Sequence, residues 1–303
     1  MNELFDFLIK KDVEHKINQP MAEYTSIRIG GKAAVVAFPS TEDQLVDLVR
    51  YLYQRDITYT VVGRMTNVLP CDEEYRGVIV ITKQLDRYRR DGNTVFAECG
   101  VTVSSLIMRL AVLGLGGIES LCGIPGTLGG MIVSNAGAYG CEIGEVVKSV
   151  IAYSPSLDKT VTLTHDELCF SYRNSVFSGS DMLILLAELE LTPLAPEIIS
   201  SKMGKIRQKR ILTQPLEYPS LGSVFKRVNG ISAGQIIDSC GLKGLSVGGA
   251  MISPKHAGFI VNAGGATAAD FRDLVDVIKG EVNRQRGVTL EEEIKYISSS
   301  ATK

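Results

Sequence analysis

The sequence predicts an α+β protein, and three observations predict it. Short β-branched runs alternate with segments whose apolar residues recur at helical spacing, the connections between them are short, and residues that start or stop helices stand at the ends of the periodic segments. In chain order, Ser40-Thr41-Glu42-Asp43 carries a capping residue with an acid at the third position, and Leu45, Val46, Leu48, Val49 and Leu52 follow. A helix is therefore expected to begin near Thr41. Thr58-Tyr59-Thr60-Val61-Val62 is a strand ending at Gly63, and Val78-Ile79-Val80-Ile81 and Val95-Phe96-Ala97-Glu98 are further short strands. A second helix is expected from Val103 to Leu113, closed by Gly114. Thr192-Pro193-Leu194-Ala195-Pro196 ends a strand-like run with two prolines, which predicts a boundary between residues 1–195 and 196–303. Beyond it, Thr267-Ala268-Ala269-Asp270 caps a helix carrying Phe271, Leu274, Val275, Ile278 and Val282, and Gly287 ends it.

Composition narrows the function classes. A chain of 303 residues has room for two or three domains. A net charge of −2 with 22% charged residues and no basic stripe argues against a nucleic-acid partner. The first residues, Met1 to Phe7, carry acids where a secretory signal carries bases, and no apolar run is long enough to span a bilayer. A cytoplasmic protein without a membrane partner is expected. The six cysteines, Cys71, Cys99, Cys122, Cys141, Cys169 and Cys240, contain no C-x-x-C and read as buried free thiols. His15, His165 and His256 are too scattered to make a metal site, so no metal is expected.

Glycine carries the chemistry. Gly123-Ile124-Pro125-Gly126-Thr127-Leu128-Gly129-Gly130, followed by Ser134-Asn135-Ala136-Gly137-Ala138-Tyr139-Gly140, is long, uncharged and glycine-rich. Without Cβ atoms the backbone can lie directly against a ligand, and Pro125 fixes one φ, so neighbouring amides can form an anion-binding concavity. An ordinary run of turns is the other reading. A Rossmann fingerprint fails because Gly114-Leu115-Gly116 has Glu119 where the third glycine belongs, and a Walker A loop fails because no Gly-Lys-Ser/Thr follows Gly126. Two further glycine turns, Ile29-Gly30-Gly31 and Gly63-Arg64-Met65-Thr66-Asn67, would help to cover an elongated, phosphate-bearing ligand.

Five motifs occur in order along nearly the whole chain: Tyr24-Thr25-Ser26-Ile27-Arg28-Ile29-Gly30-Gly31, the Gly123 to Gly140 region, Ser171-Tyr172-Arg173-Asn174-Ser175, Leu221-Gly222-Ser223-Val224-Phe225-Lys226 and Leu290-Glu291-Glu292-Glu293. Through them the chain resembles the UDP-N-acetylenolpyruvoylglucosamine reductase family, in its shorter subtype without an inserted tyrosine loop. The resemblance implies an FAD-binding fold of the vanillyl-alcohol-oxidase (PCMH) type made of two α+β subdomains, split near residue 83. It also implies an α+β substrate-binding subdomain whose C-terminal segment returns to the active site. It implies a flavin-dependent oxidoreductase of peptidoglycan precursor synthesis. FAD is the cofactor, NADPH the hydride donor and an enolpyruvyl UDP-sugar the small-molecule partner, and the enzyme is expected as a monomer or weak oligomer.

The resemblance also suggests roles. Ser223 matches the family's proton-donating serine; by its tetrapeptide alone it would as readily satisfy a strand-edge amide. Arg173 matches the arginine whose fork can bind the substrate carboxylate, with a surface salt bridge as the alternative. Glu293 matches the acid thought to polarise that carboxylate; a run of three glutamates otherwise reads as a solvated face, and only the register after Leu290 selects it. Gly63, Thr66, Asn67, Gly123, Pro125, Gly126, Thr127, Gly130, Asn135, Ala136 and Tyr172 are expected around FAD, and Tyr139, Lys226 and Arg227 around the substrate. Both tyrosines read equally as core residues with a hydrogen-bonded tip. Lys205 and Arg207 are further candidates for the UDP phosphates, or simply solvated charges. Two departures stand out. Arg64 and Met65 replace glycines of the usual Gly-Gly-Gly-Ser-Asn turn, where positive φ would cost ~1–3 kcal/mol each. Arg227-Val228 replaces the usual Asn-Pro after Phe225-Lys226, and Arg227 is expected to substitute electrostatically. Another flavin oxidoreductase of the same fold, or a non-catalytic paralogue binding FAD or a UDP-sugar, remain the competing readings.

Overall fold

A computed structural model describes residues 2–299. The chain forms two compact units. The first takes in residues up to Lys16, then Val35–Arg64 and Gly77–Gln208; the second takes in Ile17–Ala34, Met65–Arg76 and the chain from Lys209 onward.

In the first unit a five-stranded antiparallel sheet runs in the order Lys159–Thr164, Val147–Ser154, Leu183–Glu190, Thr94–Glu98, Tyr88–Asp91. A second sheet orders Glu14–Pro20, Lys32–Phe38, Tyr75–Ile81 and Tyr59–Val62, the last two parallel. The chain passes between units within three of these strands, at 16/17, 34/35 and 76/77. Helices Glu42–Gln54 and Val103–Val112 present Leu45, Leu48, Val49 and Leu52, and Val103, Leu106, Ile107 and Leu110, to one apolar core. The first helix starts one residue later than its sequence box suggests. Thr41 is the cap, accepting the Gln44 N–H at 3.1 Å, while the Gln44 side chain reaches back to the Ser40 N–H at 2.8 Å.

The second unit has its own core and a four-stranded antiparallel sheet, Ser220–Ser223, Phe259–Asn262, Ala250–Ile252, Ser246–Val247. Helix Ala268–Arg286 follows the sequence reading closely. Thr267 and Asp270 form a capping box, Phe271, Leu274, Val275, Ile278 and Val282 are buried, and Gly287 closes the helix at φ 65°. Asp72 adds a cap that local sequence does not show, its carboxylate accepting the Ala268 and Ala269 N–H groups at 2.8 and 3.0 Å. Lys295–Ile297 pairs in parallel with Val68–Pro70.

The two compact units part at 208/209, inside helix Pro196–Thr213. The prolines do end a strand, and Thr192–Pro193 still pairs with Leu115–Gly116, Met203 packs on the first core, and the fully buried Ile199 lies against Gly116.

Candidate active site

The glycine loop is held by a few bonds that leave other amides unused. Thr127 is 2% exposed and caps the short helix Leu128–Val133, its Oγ1 accepting the Gly130 N–H at 3.4 Å. The Gly123 N–H donates to Ser104 Oγ at 3.1 Å, and the Leu128 and Gly129 amides go to the Val101 and Cys99 carbonyls at 2.9 and 2.8 Å. Among the described residues, the N–H groups of Gly126 and Thr127 have no acceptor in the chain, although both residues are buried. Buried amides without acceptors are costly unless a ligand takes them, so this backbone fits the pyrophosphate of a dinucleotide such as FAD. Gly63 backs the loop so closely that a Cβ there would lie 2.3 Å from Thr127 Oγ1. Its role is to make room for Thr127.

The turn after Gly63 keeps a left-handed residue despite losing its glycines. Met65 has φ 47° and is 2% exposed, and its carbonyl accepts the Ser26 N–H at 3.3 Å; Arg64 avoids positive φ and is exposed. Burial and that hydrogen bond hold the strain expected for one of the two replacements.

Asn135 organises the loops around Arg173. Its backbone is left-handed (φ 41°) and its side chain, 2% exposed, donates to Glu142 Oε2 at 2.7 Å and to the Ser171 carbonyl at 3.1 Å while accepting the Gly144 N–H at 3.0 Å. Both amide hydrogens are thus spent inside the protein, so Asn135 acts here by positioning backbone. The Ala136 N–H is likewise spent, on the Met131 carbonyl at 2.8 Å. One loop that Asn135 holds is the hairpin Gly137–Ala138/Cys141–Glu142, whose turn places Tyr139 (φ 54°) and Gly140 (φ 79°) at the tip, with Tyr139 38% exposed. The other is the tight turn closed by paired amide–carbonyl bonds between Ser171 and Asn174 at 3.1 Å. Arg173 sits in it at φ 56°, with its guanidinium 5.3 Å from the Tyr172 ring centroid and 3.4 Å from the Gly137 carbonyl. Neither tyrosine is a core residue; Tyr172 is 44% exposed.

In the second unit, Ser223 and Glu293 lie on adjoining segments. Strand Ser220–Ser223 carries a bulge against Phe259–Asn262, with Gly222 at φ 79°. Ser223 follows that kink and pairs with Phe259, and its hydroxyl is 3.4 Å from the Phe225 carbonyl. The Glu293 N–H donates to the Val224 carbonyl at 2.9 Å, the Lys226 N–H to the Glu291 carbonyl at 2.8 Å, and Phe225 bridges Glu292. Asn67 clamps the same segment, donating to the Glu293 carbonyl at 2.9 Å and accepting the Lys295 N–H at 3.0 Å. The three glutamates separate by partner. Glu291 pairs with Lys226, and Glu292 with Lys279 and the Tyr296 hydroxyl; burial, then the bond to Glu292, holds that phenol well above its ordinary pKa. Lys226, expected at the substrate, is therefore engaged by Glu291. Arg227 is exposed before the hairpin Val228–Ile231, whose Asn229 and Gly230 both have positive φ, and this turn replaces the expected proline. Lys205 and Arg207 are exposed on helix Pro196–Thr213.

Sequence reasoning left Ser26 unassigned within its motif. Its hydroxyl donates to the Ser220 carbonyl at 2.6 Å, and Asn262 donates to the Ile27 carbonyl at 3.1 Å, so the Tyr24 to Gly31 motif supports the strand that bears Ser223. The signal was the motif itself, which sets a hydroxyl four residues before the Gly30-Gly31 turn.

Residues 33–159 match the model of an FAD-binding domain, and residues 214–297 match the model of the C-terminal domain of UDP-N-acetylenolpyruvoylglucosamine reductase. A protein of that name from Caldanaerobacter subterraneus is 41% identical over 289 residues, which span 95% of each chain. The chain belongs to the UDP-N-acetylenolpyruvoylglucosamine reductase family. The Caldicellulosiruptor bescii reductase is 40% identical over 98% of this chain and 95% of its own. The crystal structure of the reductase from Thermus caldophilus superposes with a TM-score of 0.80 at 30% identity, covering 94% of this chain and 98% of that one. A berberine bridge enzyme variant shares the fold alone, at 14% identity and a TM-score of 0.51 over 73% of this chain and 51% of its own. The family member is thus an FAD-dependent oxidoreductase with the α+β, PCMH-type fold that the motifs imply. Among the described residues, no helix is long and apolar enough to cross a membrane.

Proposed function

We propose that this family member reduces the enolpyruvyl group of UDP-N-acetylglucosamine enolpyruvate to give UDP-N-acetylmuramate, with Arg173, Ser223 and Glu293 acting on the reacting group. Bound FAD would supply the hydride chemistry that links NADPH to carbon three of the enol ether. The remaining work is management of charge and one proton, and it falls to side chains. Arg173, presented at a strained turn, offers its planar fork to the substrate carboxylate as negative charge moves onto it. Ser223 holds the proton for carbon two at its Oγ, and Glu293 polarises the carboxylate beside it. The observation that carries this reading is the bulge at Gly222 followed by the bond between Glu293 and Val224, which brings a hydroxyl and a carboxylate from distant parts of the sequence onto adjoining backbone.

Gly126 and Thr127 would hold the cofactor's pyrophosphate through their N–H groups, with Gly63, Thr66, Gly123, Pro125, Gly130 and Tyr172 around it. Asn67, Asn135 and Ala136 serve by holding backbone. Tyr139, Lys226 and Arg227 take the substrate, Lys226 by exchanging its bond to Glu291 for a phosphate. The reading assigns FAD to residues 1–195 and the UDP-sugar to residues 196–303, in a cytoplasmic monomer or weak oligomer. The test is anaerobic and separates two half-reactions. In Ser223→Ala, NADPH should still bleach the flavin while reoxidation by the enolpyruvyl substrate nearly stops. Equal slowing of both half-reactions would remove Ser223 from the proton-donor role, and failure of the substrate to reoxidise the wild-type flavin would end the reductase reading.

A further inference from the structure

His256 has no part in the reaction described above, yet the second unit is shaped around it. Its imidazole sits half-buried between two glycines: a Cβ at Gly234 would lie 2.9 Å from Cε1, and one at Gly258 would lie 3.0 Å from it. Phe259 meets the ring edge-on at a centroid distance of 4.8 Å. The buried Ser253 hydroxyl oxygen accepts the Lys255 and His256 amides at 3.1 and 3.3 Å, fixing the turn that carries the ring. Nδ1 accepts the Gly258 N–H at 3.1 Å, which sets the proton of the neutral ring on Nε2.

That bond is the first of a chain. The Gly258 carbonyl accepts the Val224 N–H at 2.9 Å, and the Val224 carbonyl accepts the Glu293 N–H at 2.9 Å. Each link crosses one residue, from its N–H to its own C=O, so the chain fixes the positions of Gly258 and Val224 from both sides. The chain starts at His256, passes the residue bonded to Ser223 and ends on Glu293. We propose that His256 is a positioning residue for the reduction of substrate, fixing Ser223 and Glu293 together through Gly258 and Val224. The proposal rests on the roles given to those two residues above.

Only the neutral ring can do this. A proton on Nδ1 would face the Gly258 N–H, two donors in place of a bond. Burial, which lowers the His256 pKa, favours the neutral form; the charges facing the ring are Lys243, which adds to the lowering, and Asp238, which opposes it, and these two pair with each other at 2.7 Å. Lys255 is turned toward Glu217 at 3.6 Å. With a lowered pKa, positioning is present through the neutral range and is lost as pH falls below the ordinary histidine range.

The test compares His256→Leu with His256→Asn, whose side-chain oxygen can replace Nδ1 as acceptor, in the FAD-loaded enzyme. His256→Leu should slow flavin reoxidation by substrate on the order of 10- to 100-fold, the scale of small misplacements of reacting groups, with flavin reduction by NADPH unchanged. Hydrogen exchange at the Val224 and Glu293 amides should rise in step. His256→Asn should restore both and remove the acid limb of the reoxidation pH profile. Unchanged exchange and reoxidation in His256→Leu would overturn the proposal, as would a His256→Asn variant that folds yet keeps the acid limb. Ser223→Ala, run alongside, separates the two claims: if it leaves reoxidation unaffected, the role of Ser223 fails, while the exchange result still decides whether His256 orders this backbone.

Discussion

Gly63→Ala is the most exacting test of the cofactor loop, because its cost comes from one contact. Gly63 does not need positive φ, so alanine brings no backbone penalty. The new Cβ would stand 2.3 Å from Thr127 Oγ1, 3.0 Å from Cγ2 and 3.2 Å from Cβ. Thr127 cannot swing away cheaply. It is β-branched, 2% exposed, and its hydroxyl caps helix Leu128–Val133. Turning it would exchange one clash for the other and release the Gly130 N–H. Overpacking of this kind costs about 1–3 kcal/mol and loss of the cap about 1 kcal/mol, so Gly63→Ala should lower stability by about 2–4 kcal/mol. Thr127→Ala alone should cost about 1 kcal/mol, the cap only. In the double variant Oγ1 and Cγ2 are gone, only the 3.2 Å approach to Cβ remains, and the cap is lost once instead of twice, so its cost should fall short of the sum by at least about 1 kcal/mol, as for residues in contact. Urea unfolding of the four proteins measures this directly, with flavin affinity as a second readout. Costs that add to within about 0.5 kcal/mol would refute the contact and the account of why this position is glycine.

Other predictions concern neighbouring parts of the molecule. Asn135→Ala should cost more than about 2 kcal/mol in unfolding free energy, because the Gly144 N–H and Ser171 carbonyl lose their partner and a left-handed residue becomes alanine; a near-neutral result would show that Asn135 does not organise these turns. Met65→Gly should relieve about 1 kcal/mol of left-handed strain and lose about 2 kcal/mol of burial, for a net loss near 1 kcal/mol in urea titration. A gain would mean that strain outweighs packing there. Burial raises the thiols of Cys99 and Cys141 to about 12 and about 11, so both should resist alkylation in the native protein near neutral pH while the exposed Cys169 reacts. For these raised groups the stabilising contribution is present below the ordinary thiol value of 9.0 and is lost as pH climbs toward 11 and 12. Unfolding measurements across that alkaline window should therefore show a decline that Cys99→Ala lessens.

Local rules were readable wherever local physics decides. Thr267, Asp270 and Gly287 mark both ends of their helix because capping bonds join residues a few positions apart, and the same holds for Gly114 after Val103–Val112. The ordered motifs were enough to place the chain in its family and to nominate Arg173, Ser223 and Glu293. What they did not reveal were the partners of individual side chains. Asn135 and Lys226 read as ligand-binding residues, yet each is engaged inside the protein, by Glu142, Ser171 and Gly144 in one case and by Glu291 in the other. Asn67, also expected at the cofactor, grips the backbone on both sides of Ile294.

The run Glu291-Glu292-Glu293 shows the division most clearly. The sequence alone determined that three acids stand here, and the family pattern selected one of them. Only the tertiary structure decided how they differ: alternation along an extended segment turns neighbours to opposite sides, Lys279 on a helix takes Glu292, Lys226 on the adjoining segment takes Glu291, and the Glu293 backbone is bound to Val224 and Asn67. The physical reason is range. Propensity, capping and turn chemistry act between residues close in sequence, whereas the charge, hydrogen bonding and burial that give a side chain its chemistry come from residues brought together only by folding.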